Sequence, residues 1–250
     1  MKTRAFTLVE LLVVIAIVAL LSVLAVQAYG PIRQSTWRAV SAQSLKQLAA
    51  AGAIYRSEHD GAFWKYREDR REGTVWWFGY ESRASQSQRE GERRIDATGG
   101  PLGAAYISGK VNTDPAFLAA KPRHKPKFKN GNYGYGYNSL LGGGPMGRAP
   151  LARDAVFDRP GEVVVFATCA QVNTFQPPAS QDEPMIEEFY LINEREVTVH
   201  FRYGGYALAA MLDGSLRELP PDPSTLDSRM PEVKIGRFAP IGSRRYLGGE

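Results

Sequence analysis

Residues 6–28, FTLVELLVVIAIVALLSVLAVQA, follow directly on the short basic leader Met1-Lys2-Thr3-Arg4-Ala5. A helix of roughly 20 apolar residues crosses a hydrocarbon core of about 30 Å, so this run is long enough to span a bilayer once. Glu10 interrupts it near its start. A carboxylate at mid-bilayer costs about 2.5–3.5 kcal/mol, whereas each central Leu, Ile or Val returns about 0.3–0.6 kcal/mol. Positions 11–28 carry twelve such residues, so insertion wins. A carboxylate held inside a span calls for a functional partner. Lys2 and Arg4 keep the leader on the cytoplasmic side and send the rest outward.

Three readings of this segment stay open. Val26-Gln27-Ala28 offers an ordinary secretory cleavage site, although the apolar region is long for a signal peptide and contains Glu10. An uncleaved anchor is the second. The third comes from the order of residues Arg4-Ala5-Phe6-Thr7-Leu8-Val9-Glu10-Leu11, which resembles the processing site of class III signal peptides in type IV prepilins and pseudopilins. That resemblance implies cleavage by prepilin peptidase between Ala5 and Phe6, N-methylation of Phe6, and retention of the apolar helix. Ala5 stands where the family usually has Gly. The resemblance makes Glu10 the fifth residue of the mature chain and its partner the N-terminal amine of a neighbouring subunit. A buried carboxylate needs such a cation.

The 250 residues accommodate an anchor and one sizeable domain, or at most two small domains. Loss of Lys2 and Arg4 with the leader lowers the formal charge from +5 to +3, too mild to point to nucleic acid. Cys169 is the only cysteine, which excludes an internal disulfide. Gly30-Pro31 predicts a kink or break. Val40, Leu45, Leu48 and Tyr55 then share one helical face, with Arg38, Gln43, Lys46 and Arg56 elsewhere, and His59-Asp60-Gly61 closes the helix with Gly61 as its cap. The aromatics of 62–80 are expected in the core, and the polar stretch 81–98 is expected to be a mobile surface loop. Residues 121–129 hold five basic side chains and His124 ahead of Tyr133, Tyr135 and Tyr137. Such a composition can grip single strands, but a solvated basic loop is the simpler account, and nucleic acid is not expected as a partner. Residues 162–170 read as a buried strand carrying Cys169 as a small core residue, and 188–192 and 196–201 as further strands. Asp213-Gly214 predicts a type I′ hairpin between 206–212 and 215–219. The Pro-rich segment after 220 is expected to be extended and loosely held.

Arg202-Tyr203 through Asp213-Gly214 is similar to the C-terminal motif of large prepilin-like proteins, a His, nine residues, then Asp-Gly. Asp213 and Gly214 match and Tyr203 occupies the His position. A chemical role for that His would be lost here, whereas a packing role is open to Tyr. Residues 132–138 and 160–164 resemble middle segments of the same family. The family implies no substrate.

No catalytic constellation emerges. His59, His124 and His200 lack metal-ligand spacing, Gly142-Gly143-Gly144 lacks the Lys and Ser/Thr of a phosphate loop, and Asp213, Asp222 and Asp227 match no calcium loop. Neither enzyme activity, cofactor nor metal is expected. The expected architecture is α+β: leader 1–5, membrane-spanning or filament-core helix 6–28, amphipathic continuation 29–60 of one long kinked helix, a pilin-like head 61–219 in which that helix packs on an antiparallel sheet, and the tail 220–250. The resemblance implies a pilin or pseudopilin subunit in the inner membrane with an extracytoplasmic head. Its partners would be prepilin peptidase, sister subunits, the inner-membrane assembly platform and membrane lipid. The rival is an anchored extracytoplasmic binding protein that uses the leader without polymerising.

Overall fold

A computed structural model of the chain describes residues 7–103, 111–119, 123–131 and 133–248, with backbone only at 24–28. Helix α1, Leu8–Glu58, starts at a capping box: Thr7 Oγ1 accepts from the Glu10 N–H, and the Glu10 carboxylate accepts from the Thr7 N–H. It runs through Gly30-Pro31 without the expected break. Pro31 removes one ladder bond, and long helical stretches on both sides carry the helix across. At its end Asp60 takes the left-handed conformation (φ 52°), and the Gly61 N–H reaches back to the Arg56 carbonyl at 2.8 Å. This is a Schellman closure with Asp60, rather than Gly61, at the first left-handed position.

The inner face of α1 is set by its 3.6-residue period: Ser41, Ser44, Leu45, Leu48 and Arg56 are buried, while Gln43 and Lys46 face out. Arg56 was expected outside this face. It is buried because its guanidinium lies over the Phe63 ring and pairs with Asp154 at 2.7 Å.

That face packs on a five-stranded sheet of order β12-β11-β6-β5-β9, built from β5 (Tyr135–Asn138), β6 (Val164–Thr168), β9 (Leu191–Ile192), β11 (Ala207–Met211) and β12 (Leu216–Leu219). All its pairings are antiparallel except β5 with β9. Every residue of β6 and β11 is buried, as strands covered on both faces require. On the helix side lies an aromatic layer in which Trp64 stacks on Tyr137 (5.0 Å) and Phe166 (5.9 Å) beside Trp77. The aromatics expected in the core are largely there: Phe63, Trp64, Tyr66, Trp77 and Phe78 are buried, and Trp76 and Tyr80 are half-buried.

The opposite face is covered by the segment after 220, which is not loosely held. Phe238 and Leu247 join Val164, Phe201 and Met211 in a second apolar cluster, Val164 donates to the Tyr246 carbonyl at 2.8 Å, and β13 (Ile235–Gly236) pairs with β10 (Val199–His200). The buried Arg237 donates to the carbonyls of Asn193 and Ala239. Prolines there shape a strap that is fastened by its neighbours.

The stretch after α1 forms an antiparallel meander, β1 (Arg67–Arg70), β2 (Gly73–Trp76) and β3 (Gly79–Ser82), followed by the short α2 (Arg83–Gln86). The polar segment 81–98 is packed. Glu81 is buried and receives both Arg93 Nε and Nη2 at 2.7 Å, and Ile95 is buried. Two paired charges hold down a stretch whose composition reads as solvated. The hairpin at Asp213-Gly214 forms, but with another turn. Only Gly214 has positive φ (83°), the Gly214 N–H donates to the Met211 carbonyl, and the Met211 N–H to Ser215, which makes a three-residue loop closed by a bulge. The type I′ turn lies instead at Gly204-Gly205 (φ 64° and 90°), where Tyr203 and Tyr206 exchange both backbone hydrogen bonds.

Candidate functional site

Two regions carry the functional argument: the free N-terminal half of α1 and the joint that fixes its second half to the head. Along the first, the large apolar side chains from Leu8 to Val23 are about half exposed or more, and among the described residues none of them joins an apolar cluster of the head. Among the described residues no helix is long and apolar enough to cross a membrane; the expected span also includes Phe6 and the side chains of 24–28, which lie outside the described residues, as does the expected cleavage residue Ala5. Glu10 stands on this exposed helix. Thr7 donates to it twice, from its N–H (2.9 Å) and its hydroxyl (2.8 Å), both to Oε2. Oε1 accepts nothing among the described residues and is open to a further donor.

The joint is built around Asp114. Asp114 caps α3 (Pro115–Leu118) by accepting from the Phe117 N–H at 2.9 Å, and Pro115 occupies the first helical position, where its missing N–H costs nothing. The same buried carboxylate accepts from Ser41 of α1 (2.7 Å) and from the Tyr203 hydroxyl (2.9 Å), and it faces the Arg202 guanidinium at 3.3 Å. The Trp37 carbonyl of α1 lies 3.3 Å from the Tyr203 oxygen. Burial, reinforced by the Asp114 charge, pushes the Tyr203 hydroxyl far above the ordinary tyrosine range, so it stays protonated and donates. Arg202 extends the joint into the sheet through the Gly134 (3.1 Å) and Cys169 (2.8 Å) carbonyls. Tyr203 is thus a hydrogen-bonding pillar between head and helix. Asp213 and Gly214 do not join it: they lie at the far end of β11, whose five residues separate the two ends by about 17 Å.

Asp213 is occupied by its own turn, accepting from Ser215 N (2.9 Å) and Oγ (2.6 Å); Asp222 does the same with Ser224, and Asp227 with Arg229. Among the described residues no group of three His, Cys, Asp or Glu side chains is placed to hold a metal ion. Burial pushes the Cys169 thiol up to about 12, which suits its place in the second apolar cluster.

The basic segment is not a solvated loop. Lys125, on β4 (His124–Lys125), is buried between Glu187 (2.7 Å) and Glu90, and β4 pairs in parallel with β8 (Met185–Glu187), itself paired with β7 (Gln171–Asn173). Neighbouring Glu188 is a buried carboxylate that accepts from the Lys127 and Phe128 N–H groups at 2.6 Å each. Burial raises it from the ordinary 4.5 to about 7, against the opposing pull of those N–H groups, Tyr190 and Lys127. Between those two pH values the folded chain holds a proton that the unfolded chain has released, so stability falls as pH rises through the window, by roughly 3 kcal/mol at most. Glu188→Gln is expected to flatten that decline in urea midpoints taken from pH 5 to 8. An unchanged decline would place the titrating group elsewhere.

No curated protein and no solved structure matches the chain. A family model of the prokaryotic N-terminal methylation motif matches residues 1–26, covering the leader and most of the apolar run and none of the head. The motif implies a membrane-anchored protein, processing by prepilin peptidase and pilin subunits as partners, and it suggests a structural pilin-like protein rather than an enzyme. The α+β head, with its long N-terminal helix laid on a largely antiparallel sheet, is consistent with that class. Residues 1–26 of this chain are the class III signal peptide of type IV pilin-like proteins.

Proposed function

We propose that this protein is a pilin-like or pseudopilin subunit. Prepilin peptidase cuts it between Ala5 and Phe6 and methylates Phe6. Residues 6–28 hold it in the cytoplasmic membrane with the head, 61–219, on the extracytoplasmic side, and the platform of a type IV pilus or type II secretion system then draws it into a filament. The observation that carries the reading is the methylation motif joined to a helix whose large apolar side chains from Leu8 to Val23 stand about half exposed or more. In the bilayer lipid covers those side chains, and in a filament sister helices would. Glu10, with Oε1 open, would receive the Phe6 amine of the next subunit and fix axial register, since a buried charge is tolerated only when it is paired.

The second half of α1 and the strap after 220 belong to the head mechanically. The Asp114 joint would transmit force from the helix to the sheet when a subunit is drawn out of the membrane. Shearing of cells followed by fractionation tests assembly: the mature chain is expected in high-molecular-weight fibres. Recovery only in the membrane fraction, under conditions that yield fibres of other pilins, would favour the anchored binding protein.

A further inference from the structure

The type I′ turn at Gly204-Gly205 faces α1 across an open groove of about 490 Å³. Arg33 and Trp37 line one wall, and the turn and Lys234 the other. Arg33 is held between two rings of its own helix, 5.6 Å from the Tyr29 centroid and 4.6 Å from that of Trp37, an arrangement that leaves the guanidinium edge available for hydrogen bonding. Lys234 sits in the left-handed conformation (φ 54°), and its ammonium lies 3.4 Å from where a Cβ on Gly205 would stand. Among the described residues neither Arg33 nor Lys234 has a carboxylate partner, and the Gly204 and Gly205 N–H groups have no acceptor. Glu232, the one acid on the rim among the described residues, is engaged by Arg123 at 2.6 Å. Two cations and the two amides of the turn, none of them partnered by an acid or acceptor among the described residues, border the same groove and offer it donors for an anion.

The position of the groove identifies the anion. Arg33 follows Ala28, the end of the apolar run, by five residues, about 7.5 Å along a helix, and the headgroup layer on each side of the hydrocarbon is about 5–8 Å deep. Exposed Tyr29, which stacks against Arg33, is an amphipathic ring of the type that settles at that depth. We propose that the groove binds the phosphate of an anionic phospholipid headgroup on the outer face of the bilayer, a site that rests on residues 6–28 being the anchor. The bound lipid would fix the height and tilt of the head above the membrane before extraction.

The test is calorimetric titration of the full chain in a zwitterionic detergent with short-chain phosphatidylglycerol, short-chain phosphatidylcholine and inorganic phosphate. Phosphatidylglycerol is expected to bind saturably and more tightly than the other two. Arg33→Gln and Lys234→Gln, both exposed and checked for native near-ultraviolet dichroism, are each expected to weaken it about fivefold, the worth of one cation at an anionic surface. Glu232→Gln is expected to stay within about twofold. Equal affinity for the two lipids, or unaltered binding in both cation variants, overturns the site, and inorganic phosphate binding as tightly as the lipid overturns the headgroup assignment. Flotation with phosphatidylcholine vesicles reads the anchor separately. A chain that fails to float refutes the anchor and with it the bilayer as the source, while the calorimetry still decides whether the groove binds phosphate.

Discussion

Asp114→Ala is expected to lower the unfolding free energy of the head by about 3–5 kcal/mol, the cost of leaving a buried charge without its partner. Arg202 would keep its guanidinium inside the protein, over the Phe117 ring at 5.1 Å, with no carboxylate to face it. The same substitution removes the cap of α3, strands the Ser41 hydroxyl and leaves the Tyr203 hydroxyl only the Trp37 carbonyl at 3.3 Å. Because Ser41 and the Trp37 carbonyl belong to α1, the loss should be felt along the helix as well as in the head. Amide exchange at residues 37–45 is expected to accelerate together with the fall in the urea midpoint. Tyr203→Phe deletes one hydroxyl donated to a buried carboxylate and keeps the ring, so it should cost about 1.5–3 kcal/mol. A loss under about 1 kcal/mol for Asp114→Ala would show that the apolar face of α1 alone holds the helix on the sheet.

Glu10→Ala is expected to leave processing largely intact and to cut the yield of sheared fibres by an order of magnitude or more. In the proposed filament each subunit would lose the same pairing with a neighbour's Phe6 amine, so the defect would repeat at every contact. Glu10 also has a local role, since its carboxylate closes the capping box with Thr7. Glu10→Gln separates the two. An amide oxygen still accepts from the Thr7 N–H, and Gln serves a capping box nearly as well as Glu, but it carries no charge to pair with an amine. If capping were the whole role, the Gln variant would assemble normally. If the ion pair sets register, it should fail as the Ala variant does. Normal filaments from either variant would refute the pairing role of Glu10.

The leader was legible because its signal is local: a basic turn, a cleavage position, a carboxylate and an apolar run in fixed order. The strand leading to Cys169 and the one before Asp213-Gly214 were also legible, since continuous apolar runs mark strands buried on both faces, and the strand after that turn was legible from the turn itself. Features set by distant partners were not. Lys125 reads as one more cation in a basic loop until Glu187, 62 residues on, is brought against it. The charged strand Arg67–Arg70 has no alternation of its own and gains its place by pairing with β2. The strap after 220 looks loose by composition because its anchors, Arg237 and Leu247, bond to carbonyls and strands outside the segment. The two-residue turn forms at Gly204-Gly205 and not at Asp213-Gly214. Asp-Gly and Gly-Gly both suit a type I′ turn, and the length of the loop between paired residues, which selects the turn, is fixed only by strand register. Asp114 could have been found, because Asp followed by Pro is a helix-start signature. Nothing local says that the same carboxylate also meets Ser41, Arg202 and Tyr203.

The central claim is that this chain enters the pilin assembly route, and N-terminal mass spectrometry of the mature protein from its own membrane fraction tests it most directly. The account predicts a chain that begins at Phe6 and carries an N-methyl group. A chain beginning at Tyr29 would mean ordinary secretion of the head, and an intact Met1 a plain anchor; either would contradict it.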